Sequence, residues 1–418
     1  MTDHTALIER RQRLLGRSYR LFYQQPLYPV RGEGVWLYEA DGRRYLDAYN
    51  NVVSVGHCHP RVVEAICRQA SVLNTHTRYL HDGILEYAER LLALFPERLN
   101  NLTLTCSGSE ANDLALRVAR EVTGNRIALV TRWAYHGTTS SIAELSPALG
   151  VGVGDQVRLL DAPDSYRAPG QWLRQLRQQL DQLAAEGLRP AALMMDGLFS
   201  SDGVFSPPAA EIQQAVNWVR QAGGLYIADE VQSGFARTGE AFWGFSRYQV
   251  EPDLVTLGKP MGNGHPVAGM VARADLLDQF GARQRYFNTF GGNPVSCAAA
   301  LAVLDVIETE HLQVNARIQG QRLQRRLSEL ASQHVVIGDI RGAGLFYGVE
   351  LVQDRESLAP ATDLASRVVN GMRDAGVLIS ATGPDANILK IRPPLVFSSE
   401  HVELLSDTLD QVLTGLGV

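Results

Sequence analysis

Short apolar runs alternating with helical segments constrain this chain more than any other feature. Leu102–Cys106, Ile127–Thr131, Ala192–Asp196, Leu225–Asp229 and Asp253–Leu257 are each about five residues long and apolar almost throughout. Runs of that length are short for helices and too uniformly apolar to keep one face wet. They read as strands buried on both faces, as in a mostly parallel sheet covered by helices. Between them lie periodic segments at Asp113–Val122, Trp172–Ala185 and Ala209–Ala222, the last entered through Pro207-Pro208. The fold class expected is α/β.

The C-terminal part follows a different order. Helices at Pro294–Glu308 and Val314–Ser332 precede strands at Val335–Ile340 and Gly344–Val352. A helix at Asp363–Ala375, strands at Val377–Ser380 and Ile388–Ile391, and a helix at His401–Leu416 complete it. This predicts a large domain over residues 51–310 and a small α+β domain over 311–418. Near the start, Val35–Tyr38 and Arg44–Asp47 flank Asp41-Gly42, a hairpin signature. Residues 1–50 are expected to pack with the small domain.

Composition excludes several classes. Of 418 residues, 45% are hydrophobic and 20% charged, as in an ordinary soluble chain. No apolar run reaches the roughly 18 residues of a membrane span. The first twenty residues are charged and lack the apolar core of a secretory signal. A net charge of −6 argues against nucleic acid or an anionic membrane as partner. Cys58, Cys67, Cys106 and Cys297 are scattered, which fits reduced thiols in the cytoplasm.

Lysine occurs only at Lys259 and Lys390, so 37 of the 39 cations are arginine. Arginine serves in salt bridges, but its guanidinium stays protonated and is no nucleophile. The two lysines therefore become candidates for amine chemistry.

Ligands of open α/β sheets bind beyond the carboxyl ends of the strands. After Leu102–Cys106 comes Ser107-Gly108-Ser109-Glu110, an anion cup at a helix start or else only a capping box. After Ile127–Thr131 comes Trp133-Ala134-Tyr135-His136-Gly137, whose aromatics could stack on a planar ligand or simply pack in the core. Asp229 and Glu230 end an apolar strand, where an acid needs a cationic partner, from a ligand or from a distant arginine. Gly258-Lys259-Pro260 puts the scarce lysine at a fourth strand end. A phosphate cup, a stacking face, a carboxylate and an amine together are what pyridoxal phosphate requires.

Competing motifs fail. Gly150-Val151-Gly152-Val153-Gly154 has no strand before it and no helix after it. His57-Cys58-His59 lacks a further ligand at a recognised spacing, so no metal site is expected.

The motifs SGSEAND, AYHG, ADEVQSGFARTG, LGKPMGNGHP and FNTFGGNPVSCAAALAVLD resemble those of class III (subgroup II) aminotransferases, pyridoxal-phosphate enzymes of fold type I. The branch most similar is the alanine–glyoxylate aminotransferase 2-like one, which includes ethanolamine-phosphate phospho-lyases. By this resemblance Lys259 would bind the cofactor covalently and move the proton. Asp229 would pair with the ring nitrogen, Tyr135 and Val231 would flank the ring, and His136 would line the pocket. Gln232 would reach the ring 3-oxygen. Gly108 and Ser109 would hold the phosphate, with Thr289 supplied by the second chain of a homodimer or of a dimer of dimers. Arg392 would bind the substrate carboxylate, Asn50 would line the entrance, and Lys390 would be structural or peripheral. Where the ornithine and γ-aminobutyrate branch has two glutamates, this chain has Asp196 and Ser201, so the glutamate that masks the arginine is missing. The resemblance implies amino transfer from an amine donor to a 2-oxo acid. The alternative is phosphate elimination from a phosphorylated amine such as O-phosphoethanolamine.

Overall fold

The computed structural model describes residues 4–418. The first three residues of the expected N-terminal segment lie outside the described residues. Seven strands form the central sheet, in the order Asn101–Thr105, Ala268–Ala272, Leu254–Leu257, Leu225–Asp229, Pro190–Asp196, Ile127–Thr131 and Val157–Leu160. Only Ala268–Ala272 runs against its neighbours, pairing antiparallel on both sides. The other six point the same way, so Thr105, Thr131, Asp196, Asp229 and Leu257 end at one edge.

Alternation within the apolar strands explains their continuous hydrophobicity. Val130, Met194, Ile227, Leu254 and Met270 face one core, with Leu114, Ala115 and Val118 of the helix Gly108–Thr123. Leu129, Leu193, Met195, Ala228, Val255 and Val271 face the other core, which continues into the rest of the chain. Two central strands escape the sequence reading. In Val157–Leu160, Arg158 breaks the apolar run, and Ala268–Ala272 carries Gly269, a weak strand former.

A second sheet has the order Ile337–Ala343, Phe346–Leu351, Ile388–Ile391 and Ser380–Thr382, all antiparallel. The third joins Pro29–Glu33, Trp36–Glu39 and Arg44–Asp47 to Val377–Leu378. In it Leu46 pairs with Val377. The single strand expected at Val377–Ser380 is therefore split between two sheets. Ile379, at the break, gives its carbonyl to the Tyr23 hydroxyl at 2.9 Å and not to a ladder.

The turn between Ile337–Ala343 and Phe346–Leu351 is seated against the segment that follows Asp229, and against the helix Leu312–Gln333, with backbone close to backbone. A Cβ on Gly344 would stand 2.4 Å from the Arg237 carbonyl oxygen, and one on Gly320 would stand 2.2 Å from the Gly344 oxygen. Gly320 lies within the helix Leu312–Gln333, so alanine there meets fixed backbone on both sides. Gly320→Ala should cost about 1–3 kcal/mol of stability through overpacking. A urea midpoint equal to that of the parent would show that this seat yields without strain.

Candidate active site

The sheet edge that collects the strand ends also gathers the candidate residues. Gly108, Ser109, Tyr135, His136, Asp229, Val231, Gln232 and Lys259 line one cavity, together with Asn112, Gly137 and Asp196.

The residues expected to form an anion cup or a capping box form an N-cap but not the full box. Ser107 Oγ accepts from the Glu110 amide at 3.3 Å, and the Glu110 carboxylate accepts from the Cys106 amide at 3.0 Å. Ser107 is thus spent on the cap, while Gly108 and Ser109 begin the helix beside the cavity. First-turn amides have no partner within their helix, and the helix dipole makes that end positive. A Cβ at 108 would lie 3.0 Å from Val231 Cγ2, so a larger residue there would have to displace Val231.

Asp229 is buried at 4% exposure. Its Oδ2 accepts from Asn112 Nδ2 at 2.9 Å and meets His136 Nδ1 at 2.7 Å. Oδ1 accepts from the Val231 amide at 3.0 Å. Asn112 is held in turn: Nδ2 also donates to the His136 carbonyl at 2.7 Å, and Oδ1 accepts from Thr256 Oγ1 at 2.6 Å. The sequence reading assigned no role to Asn112. Its signal was a polar residue between Ala111 and Leu114 on the buried face of an amphipathic helix.

Lys259 opens a 3-10 turn, Lys259–Gly262, directly after the strand Leu254–Leu257. Its φ of +28° is uncommon for a side-chain-bearing residue and marks backbone held for a purpose. Burial lowers the ammonium pKa, opposed by the Asp229 carboxylate and reinforced by the Arg392 charge. An amine so placed gives up its proton more readily than one in water. Tyr135 lies across the cavity, 37% exposed, its phenol raised by desolvation.

The remaining candidates fall at differing distances from this cavity. Arg392 follows the strand Ile388–Ile391 and donates from Nη1 to Gln232 Oε1 at 2.5 Å, so it joins the site through Gln232. Asn50 does not line the cavity: its Oδ1 accepts from the Val52 amide at 3.0 Å, and its amide donates to Asp47. Thr289 is exposed and outside the cavity of its own chain. Lys390 is buried at 6% exposure, 5.7 Å from the Phe346 ring centre. His57 and His59 have carboxylate partners, Asp47 at 2.7 Å and Glu310 at 3.2 Å.

These residues fit pyridoxal phosphate. The helix start suits a phosphate, the Asp229 carboxylate suits a protonated ring nitrogen, and the Lys259 amine suits an aldehyde. Buried His136 Nε2 has no hydrogen-bond partner among the described residues.

Comparison with known proteins agrees. A family model described as aminotransferase class III matches residues 21–413, so the chain belongs to the class III aminotransferase family. Over 96% of this chain and 85% of the relative, it is 41% identical to an alanine–glyoxylate aminotransferase 2-like protein of Drosophila melanogaster. It is 37% identical to ethanolamine-phosphate phospho-lyase homolog 1 of Caenorhabditis elegans, over 98% of this chain and 93% of that one. Among solved structures, an Arthrobacter phospholyase in complex with phosphoethanolamine superposes with a TM-score of 0.95. Identity is 46%, covering 98% of this chain and 99% of that one. A PLP-bound amine transaminase from an uncultivated Pseudomonas species gives a TM-score of 0.86 and 29% identity, covering 94% and 95%. The fold is that of type I pyridoxal-phosphate enzymes, and the cofactor is pyridoxal 5′-phosphate.

An unprotonated ring is a poor electron sink, so Asp229→Asn should slow turnover by roughly a thousandfold. At ~1.4 kcal/mol per decade that is about 4 kcal/mol of transition-state stabilisation. Steady-state rates within about tenfold of the parent would mean that another group supplies the charge.

Proposed function

We propose that this enzyme eliminates inorganic phosphate from a small phosphorylated primary amine of the phosphoethanolamine type. The observation that carries this reading is the full-length likeness to the Arthrobacter phospholyase, 46% identical against 29% for the amine transaminase. The site is compatible. Its anion end holds Arg392, and Ser201 offers no carboxylate to neutralise it. A guanidinium binds phosphate as well as carboxylate.

Bound pyridoxal phosphate supplies an electron sink for the carbon that carries nitrogen. Gly108 and Ser109 would hold its phosphate, Tyr135 and Val231 would flank its ring, and Asp229 would keep its ring nitrogen protonated. Lys259 Nζ takes the proton from the substrate carbon beside nitrogen. The electron pair left behind expels phosphate from the neighbouring carbon, while Arg392 holds the departing anion. The overall change would consume water and yield phosphate, ammonia and a carbonyl compound.

A second reading, ping-pong amino transfer from an amine donor to a 2-oxo acid, uses the same first proton transfer. It is favoured by the arginine at 392, which suits an α-carboxylate, and by the 41% identity to the aminotransferase 2-like relative. Parallel assays separate the two. Phosphate release from phosphoethanolamine without any 2-oxo acid is expected. Consumption of a 2-oxo acid with no phosphate release would make the enzyme a transaminase.

The reading includes a homodimer with shared sites. Thr289 is exposed between Phe287 and Phe290, themselves 45% and 69% exposed, as befits residues awaiting a second chain. Mixed dimers of Lys259→Ala and Thr289→Ala chains should hold one site with both defects and one with neither. Mixed dimers with one defect in each site would refute sharing. No described helix is long and apolar enough to cross a membrane, and all four cysteines are free, in keeping with a cytoplasmic setting.

A further inference from the structure

Arg392 is anchored by a chain of hydrogen bonds that ends on a carboxylate. Its Nε donates to the Tyr49 carbonyl at 2.8 Å and its Nη1 to Gln232 Oε1 at 2.5 Å. Gln232 Nε2 donates to Ser200 Oγ, and the Ser200 hydroxyl donates to Asp196 Oδ2. The Ser200 amide donates to the same oxygen at 2.9 Å, and the Leu198 amide donates to Asp196 Oδ1 at 3.0 Å. Asn51 Nδ2 approaches Gln232 Oε1 at 3.4 Å as a second donor. Ser200 is fully buried and Gln232 nearly so.

The ends fix the direction of the chain. A guanidinium has only donors and a carboxylate only acceptors. The Gln232 amide must therefore turn its oxygen to Arg392, and the Ser200 proton must point to Asp196. Each bond polarises the next. The result links a negative charge to a positive one through two neutral groups, so Arg392 is held without being neutralised by direct pairing. Its guanidinium carbon also lies 5.0 Å from the Tyr49 ring centre.

We infer that Ser200 and Asp196 are positioning residues for anion recognition, acting through Gln232 to hold Arg392 open toward the anionic end of the substrate. This rests on the reading of Arg392 as the anion-binding residue. Without the relay, the guanidinium must be ordered at the moment of binding. Immobilising one long side chain weakens binding by roughly five- to tenfold.

The test uses holoenzyme, whose cofactor already fills the phosphate cup, and inorganic phosphate as probe, with affinity read by calorimetry. Ser200→Ala should raise the phosphate Kd and the KM for phosphoethanolamine by about five- to tenfold, with kcat held within about twofold. The response of the holoenzyme's visible absorbance to 1-phenylethylamine, which carries no anion, should not change. Gln232→Glu, of the same shape, places a negative charge directly on Arg392. It should weaken phosphate binding further than Ser200→Ala, and it decides the matter should Ser200→Ala fail to fold. Arg392→Ala separates the two levels of the argument. If it leaves the phosphate Kd unchanged, the anion-binding reading fails and the relay with it. If it abolishes binding while Ser200→Ala or Gln232→Glu leaves the Kd at the parent value, only the relay is overturned. Equal losses for phosphate and 1-phenylethylamine would also overturn it, by reducing Ser200 to a general structural role.

Discussion

Everything at this site turns on keeping a carboxylate charged where the surroundings are apolar. Asp229 ends a strand whose other residues pack into the cores, and burying an unpartnered carboxylate is costly. Asn112, His136 and the Val231 amide meet that cost with three hydrogen bonds. Val231 is two residues beyond Asp229, but Asn112 lies in the helix after Asn101–Thr105 and His136 in the loop after Ile127–Thr131, so the sheet order brings these two to Asp229. The same bonds fix neighbouring groups: Asn112 ties the His136 backbone to the helix whose start forms the phosphate cup. Moving Asp229 by one residue would turn its side chain to the other face of the sheet.

A second constraint ties the sheet containing Phe346–Leu351 and Ile388–Ile391 to that carboxylate. Arg237 lies eight residues beyond Asp229 and is 2% exposed. Its Nη1 donates to the Leu345 carbonyl at 3.2 Å and to that of Pro393. Burial, with help from Arg392, lowers its pKa to about 9. A cation bonded only to carbonyls stabilises poorly, but it sets geometry well. One end of the segment carries the buried Asp229 carboxylate, and the other grips the residue next to Arg392. The separation of Asp229 from Arg392 is therefore constrained by a single stretch of chain, Asp229–Arg237.

The sequence made the parallel strands and their ends legible because strands buried on both faces leave an unmistakable apolar run. It also marked the groups whose chemistry is specific to residue type, namely Lys259, Asp229 and the Gly108-Ser109 turn. Hidden were features that depend on partners far along the chain. Gln232 and Ser200 are 32 positions apart, and Gln232 and Arg392 are 160 apart, so no local pattern announces their bonds. Asn112 was visible only as a polar residue on a buried helix face. The strand Ala268–Ala272 was hidden for another reason: it is short, contains glycine and inserts antiparallel into an otherwise parallel sheet. Thr289 has no role that one chain can display.

The two lysines are better understood together than singly. Arginine keeps its proton at neutral pH even when buried, whereas a buried lysine can lose it. Burial lowers Lys259, and burial with the adjacent Arg392 charge pushes Lys390 well below the usual lysine range. Lys390 shares its strand with Arg392, two residues away and close in space. An arginine at 390 would set two permanent charges side by side in a site that must also admit an anion and a cationic cofactor ring. A lysine there eases that repulsion, because burial and the Arg392 charge both favour its neutral form. A chain that uses arginine 37 times thus has lysine at two positions where burial lowers the ammonium pKa. At Lys259 that shift favours the free amine that the proposed reaction needs, and at Lys390 it lessens the charge set beside Arg392.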